Sequence, residues 1–159
     1  MAVLATAEAV LNAARENGKM IATAESCTGG LVFAQLTEIA GSSDVMDRGF
    51  ITYSNAAKQQ MLGVPAALIA RHGAVSEPVA CSMAEGALAH SDADIAVSVT
   101  GVAGPGASGT KPEGMVCFGL AAKNAVTQSE TVQFGPLGRA LVRQNSAEHA
   151  LLTLLRALT

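Results

Sequence analysis

"KMIATAESCTGG", residues 19–30, decides how this chain folds. Its apolar run lies between Gly18 and the Gly29-Gly30 pair and is too short for a buried helix, so it reads as a core strand. The glycines open "GGLVFAQLTEIAGSS", residues 29–43, a helical stretch closed by Gly41. Three small side chains able to act as nucleophiles, Ser26, Cys27 and Thr28, therefore stand where a strand ends and a helix begins.

Upstream, "VLATAEAVLNAARENG" sets apolar residues at Val3, Leu4, Ala7, Val10, Leu11 and Ala14, the period of a helix, and stops at Gly18. Downstream, "RGFITYSN" is a second strand, and "AAKQQMLG" and "PAALIARHG" are short helices split by Pro65. "SEPVACSMAEGALAHS" starts a helix at Ser76, with Glu77 and Pro78 in the first turn. "DIAVSVTGVAG" is a nearly unbroken apolar strand running into glycines. After the Gly/Pro/Ser loop 104–114, "MVCFGLAAK" and "TQSETVQFG" form a hairpin through Asn124, and the leucine-rich end of the chain docks as a helix.

Strands alternating with helices and then a hairpin predict one domain over residues 1–159, a three-layer α/β/α sandwich on a mixed, mostly parallel sheet. In such sheets ligands settle beyond the carboxyl ends of strands, and both "AESCTGG" and "TGVAGPG" occupy that position. A ligand cleft between the two glycine-rich exits is the sharpest structural expectation.

Composition narrows the function. A formal charge of −3, no basic run, one Tyr and no Trp argue against nucleic acid as a partner, because backbone binding needs clustered Lys and Arg and base stacking needs aromatics. No stretch is long and apolar enough to span a bilayer, and the first residues carry no basic leader, so a soluble, unprocessed chain is expected. Cys27, Cys81 and Cys117 are odd in number and far apart, which suits a reducing cytoplasm and suggests neither a disulfide framework nor a zinc site. The abundance of Ala and Gly beside 14% charged residues predicts tight packing of small side chains and a homo-oligomer.

Two readings compete at the strand-to-helix corner. Ser26 or Thr28 can N-cap the helix while the glycines permit close packing, or a hydroxyl there can use neighbouring backbone N–H groups to hold an anion or an oxyanion. A serine nucleophile needs a base. His72, His90 and His149 lie in helical or helix-end contexts with no carboxylate partner evident in the sequence, which gives a Ser-His-Asp triad little support. Lys58 is either a solvated helix lysine or, just past a core strand, a base whose pKa burial would lower. Tyr53 is either core or cleft, and Arg139 and Arg143, four apart, share a helix face that is either solvated or a phosphate clamp. "GVAGPGASGTK" fails as a P-loop, because Thr110 separates Gly109 from Lys111 and the loop leads into a strand. No metal-ligand spacing occurs.

"TAESCTGGLV", "GSSDVMDRGFITYSNAAKQQMLGV", "GAVSEPVA", "VSVTGVAGPG", "KPEGMVCFGLA" and "RALVRQ", in this order, resemble the CinA C-terminal domain family over nearly the whole chain. The resemblance implies a nicotinamide-nucleotide amidohydrolase, which deamidates nicotinamide mononucleotide (NMN) in pyridine-nucleotide recycling without cofactor or metal. It also implies Ser26 as nucleophile and Lys58 as general base. Beside that pair, Tyr53 is expected to orient Lys58 or the substrate, and the backbone of Cys27, Thr28, Gly29 and Gly30 to hold the oxyanion. Cleft geometry adds Thr100, Gly101 and Gly104 as lining residues and Arg143 as partner of the 5′-phosphate. Cys27 competes for the role of nucleophile, since a thiolate at such a corner is also activated. The alternative expectation is a non-catalytic nucleotide-binding module of the competence or damage response. Many members carry a further N-terminal domain that these residues do not include, and the loop 104–114 is shorter than the commoner family form.

Overall fold

The computed structural model describes residues 2–159. Along the chain run α1 (Ala2–Glu16), β1 (Ile21–Glu25), α2 (Leu31–Thr37), a 3-10 turn (Ser42–Asp44) and β2 (Met46–Ile51). They are followed by α3 (Asn55–Leu62), α4 (Ala66–His72), α5 (Glu77–Ala89), β3 (Ile95–Gly101), β4 (Met115–Ala122), β5 (Gln128–Gln133) and α6 (Arg139–Leu158). Five strands form one sheet in the order β2-β1-β3-β4-β5.

The expected α/β/α layering and mixed sheet are present, but only half of the pairings are parallel: β1 pairs parallel with β2 and β3, while β3–β4 and β4–β5 are antiparallel. The expectation of a mostly parallel sheet is corrected by the stretch between β3 and β4. It contains no helix, and without a crossover the chain can only return beside β3 in the opposite direction.

The two faces of the sheet differ in side-chain size, and that difference sets the layers. Ile21, Ile95, Val97, Val99 and Phe118 point toward α1, α2 and α6 and build the larger core with Leu11, Leu36, Leu151 and Leu154. The opposite face offers Ala22, Ala24 and Ala96, against which Val79, Met83 and Ala87 of α5 and Leu62 of α3 pack. Small residues let α5 come down onto the sheet. The Ser98 hydroxyl donates to the Ala80 carbonyl at 2.5 Å, and a Cβ on Gly119 would stand 2.4 Å from that same oxygen. Part of the Ala and Gly read in the sequence is thus used inside the domain. Farther along α5, Gly86 meets the last residue of α3 so closely that a Cβ would lie 2.1 Å from the Leu62 carbonyl oxygen.

Because β2, β1 and β3 run parallel, their carboxyl ends emerge at one edge of the sheet. Glu25 is level with Ile51 on one side and with Val99 on the other. Ser26 and Thr52, which follow β1 and β2, are therefore neighbours of Thr100 near the end of β3, although the three are far apart in sequence.

Candidate active site

Ser26 continues β1 by one hydrogen bond, its N–H donating to the Val99 carbonyl at 3.0 Å, and then the chain turns sharply. Gly29 (φ 58) and Gly30 (φ 101) make that turn in the left-handed region, and a Cβ on Gly30 would also press the Ile51 side chain at 3.0 Å. Neither Ser26 nor Thr28 caps α2. The helix has Gly30 at its N-cap without a side-chain cap, and the Thr28 hydroxyl donates instead to Glu25 at 2.7 Å. The carboxylate of Glu25 supplies the acceptors, taking the N–H groups of Gly30, Val32 and Phe33 at 3.1, 2.9 and 3.0 Å. Gly29 N–H goes to the Ser26 carbonyl and Leu31 N–H to that of Thr28. Among the described residues this leaves the N–H groups of Cys27 and Thr28 without an acceptor from another residue.

Lys58 comes from the neighbouring strand exit. Ser54 caps α3 by accepting the Ala57 N–H at 3.0 Å, and the helix then turns Lys58 and Leu62, one turn apart, inward. Lys58 is only 1% exposed. Its Nζ donates to Ser26 Oγ at 3.0 Å and to the Thr52 carbonyl at 3.0 Å. Burial lowers its pKa below the usual lysine value, since an ammonium loses hydration there, and the neighbouring Cys27 only partly opposes the shift. The arrangement is a serine hydroxyl in contact with a desolvated amine.

Cys27 is 6% exposed, and burial, with the field of Glu25 adding to it, pushes its thiol up to about 11. At neutral pH it is a protonated thiol, a weak nucleophile beside the serine.

Ser26, Cys27 and Lys58 line a cleft of about 250 Å³ together with Tyr53, Asn55, Ala74, Val75, Thr100, Gly101, Ala103 and Arg139. Its mouth is polar. Tyr53, 64% exposed, accepts a hydrogen bond from Arg139 Nη2 at 3.1 Å, and Arg139 Nη1 donates to the Gly104 carbonyl at 2.7 Å. Tyr53 thus meets Arg139, with no hydrogen bond to Lys58. Thr100 and Gly101 line the wall, the Thr100 hydroxyl donating to the Ala74 carbonyl at 2.9 Å. Gly104 reaches the site only through its carbonyl.

Arg143 lies elsewhere than expected. Its Nε and Nη2 donate to the carbonyls of Cys27 and Thr28 at 3.0 and 3.3 Å, so it braces the back of the corner while Arg139 faces the cleft. Sequence reasoning passed over Glu25. The signal was present, since a carboxylate in a core strand must find buried partners. The Thr52 carbonyl, a main-chain group, gave none.

A larger cavity of about 530 Å³ lies between the β4–β5 hairpin and α6. Its hydroxyls are spent on other partners, Ser129 on Glu77 and Thr153 on the His149 carbonyl, so the smaller cleft is the candidate for chemistry. Among the described residues no group of three or more His, Cys, Asp or Glu side chains can hold a metal ion, and no helix is long and apolar enough to cross a membrane.

Residues 4–158 match the family model described as the CinA C-terminal domain. A CinA-like protein of Mycolicibacterium vanbaalenii is 52% identical over 143 residues, which cover 89% of this chain and 34% of that protein. A putative competence-damage inducible protein of Symbiobacterium thermophilum is 50% identical over 145 residues, covering 86% and 34%. The chain therefore spans about a third of the length of these relatives. Among solved structures, the competence/damage inducible protein CihA of Agrobacterium tumefaciens superposes with a TM-score of 0.94 at 45% identity, covering 98% of this chain and 94% of that one. A CinA superfamily protein of Klebsiella pneumoniae gives 0.94 at 31% identity, covering 98% and 97%. With its fold and almost its whole length matched, the chain belongs to the CinA C-terminal domain family.

Proposed function

We propose that this domain is an amidohydrolase that converts NMN to nicotinate mononucleotide and ammonia, with Ser26 as nucleophile and Lys58 as general base. The observation that carries the reading is the 3.0 Å contact between Lys58 Nζ and Ser26 Oγ at the floor of a cleft, where burial favours the neutral amine. A lone serine is a weak nucleophile, and a neutral amine at this distance can take its proton as it attacks the carboxamide carbon. The N–H groups of Cys27 and Thr28 then receive the oxyanion.

Collapse of the tetrahedral intermediate breaks the C–N bond, and the proton held by Lys58 passes to the departing nitrogen, which leaves as ammonia. Water, deprotonated by the same amine, attacks the nicotinoyl ester of Ser26. The carboxylate product leaves, and the proton returns to Ser26. At the mouth, the guanidinium of Arg139 suits the substrate's 5′-phosphate, with Tyr53 beside it, while Thr100 and Gly101 form the wall against which the ring lies.

The relatives are named for competence and damage induction, and a second reading sets the domain in that response as a non-catalytic nucleotide-binding module. It would use the same cleft without turnover. Ammonia release from NMN by the purified protein without added metal, beside Ser26→Ala and Lys58→Ala, separates the two. Turnover lost in both variants is the expected result. A folded wild type that binds NMN and releases no ammonia overturns the hydrolase.

A further inference from the structure

Glu25 ends β1, immediately precedes Ser26 and is 1% exposed. A carboxylate at that depth is costly unless its lone pairs are filled, and here five donors fill them. Oε1 accepts from the Thr28 hydroxyl at 2.7 Å, Val32 N–H at 2.9 Å and Gly30 N–H at 3.1 Å. Oε2 accepts from Phe33 N–H at 3.0 Å and the Thr23 hydroxyl at 3.2 Å. All five are uncharged, so fixed dipoles hold the group.

The main chain of the same residue reaches the other half of the site. The Glu25 carbonyl accepts the Thr52 N–H at 2.7 Å, and the Thr52 carbonyl in turn accepts Lys58 Nζ at 3.0 Å. One residue thereby ties the turn that carries Ser26 to the group that seats Lys58. By consuming three N–H groups at the start of α2, it also restricts the open donors of the corner to Cys27 and Thr28.

We propose that Glu25 is a positioning residue, its carboxylate holding the turn that carries Ser26 and the Cys27 and Thr28 N–H groups in reactive register with Lys58. The inference rests on the hydrolase reading. It makes Glu25 an indirect contributor that never touches substrate, so its loss falls on the reactive step and leaves binding in place.

Glu25→Gln keeps the volume and puts an NH₂ group where an oxygen accepted, so at least one donor of the corner faces another donor. The expected result is a folded protein by circular dichroism, kcat for NMN lower on the order of 10²-fold, and KM and the acid limb of the pH–rate profile unchanged. Labelling of Ser26 by a fluorophosphonate slows in parallel. Thr28→Val removes one of the five donors without touching the charge and gives a smaller loss in the same direction. If Glu25→Gln does not fold, Thr28→Val decides. An unaltered labelling rate in a folded variant overturns the proposal, as does a kcat loss matched by a rise in KM or a displaced acid limb. Labelling needs no NMN, so a wild type that labels without releasing ammonia would refute the substrate and leave the test of Glu25 intact.

Discussion

Gly86→Ala, far from the cleft, is expected to damage both the fold and the chemistry. The new Cβ would stand 2.1 Å from the Leu62 carbonyl oxygen and 2.9 Å from both the carbonyl carbon and Cβ of that residue. Ordinary contact begins near 3.4 Å, so α3 and α5 must separate by more than about 1 Å. Backbone atoms cannot rotate away as a side-chain tip can. Overpacking of this kind costs about 1–3 kcal/mol, and contact with backbone puts it at the upper end. Exchanging Gly for Ala inside a helix returns about 1 kcal/mol, leaving a net loss of about 1–2 kcal/mol. For a domain of this size, that lowers Tm by about 2–8 °C.

The same displacement travels along α3. Lys58 lies one turn before Leu62 on the inward face, so moving the helix lengthens the 3.0 Å contact with Ser26. A misplacement of about 1 Å in a reacting pair costs on the order of 10² in rate. Thermal melting and NMN turnover measured on one preparation test both parts. A Gly86→Ala variant with unchanged or higher Tm and full activity would refute the reasoning, showing that the seat of Lys58 does not depend on α5.

Ser26→Ala abolishes ammonia release while Cys27→Ala keeps most of it, because the Cys27 thiol, pushed up to about 11, is protonated at neutral pH; the opposite pattern assigns the nucleophile to Cys27. Lys58 has a folded-state pKa below its unfolded value, so between the two the unfolded chain binds more protons and wild-type stability rises with pH. Below the folded pKa the burial penalty is present in full. Lys58→Met lacks this slope, so the stability of wild type relative to the variant, read by denaturant titration, should rise as pH is raised through that window; a constant difference would contradict a depressed lysine. Wild-type activity, limited by the neutral amine, falls as pH drops through the same folded pKa. Arg139→Gln raises KM for NMN about ten- to a hundredfold with kcat nearly kept, as expected when a charged contact to phosphate is lost. Arg143→Gln lowers kcat with KM nearly kept, because that side chain holds the Cys27 and Thr28 carbonyls. Steady-state kinetics on both variants reads the split.

The strand-to-helix corner was legible because a short apolar run between glycines leaves few options, and β1, α2 and their neighbours follow local period and punctuation. What local pattern could not show was which exits lie side by side. The pairing of Lys58 with Ser26 depends on β2 lying next to β1 with Glu25 level with Ile51, a tertiary fact, and family resemblance alone carried it beforehand. The cap of α2 was misread for a similar reason. Its acceptor is Glu25, on the strand five residues ahead of Gly30, where no capping rule looks. Arg139 and Arg143 share a helix and a charge, and only the docking of α6 determines that one faces the cleft and the other the back of the turn. In the antiparallel half of the sheet the β4–β5 hairpin was legible from its two strands and short turn, whereas the β3–β4 pairing follows from the absence of a helix in the loop 104–114.

Tyr53 gives the molecule a built-in optical probe. The chain contains no Trp and a single Tyr, so emission excited beyond the phenylalanine band comes from one phenol, and that phenol stands at the rim of the cleft with its oxygen on Arg139. A nicotinamide ring arriving beside it, or a phosphate drawing Arg139 away, changes the surroundings of the only group that emits when excitation lies beyond the phenylalanine band. Occupancy of the cleft can therefore be followed by titrating unlabelled protein in a fluorimeter. Because this signal requires no turnover, it stays readable in variants whose chemistry has been silenced.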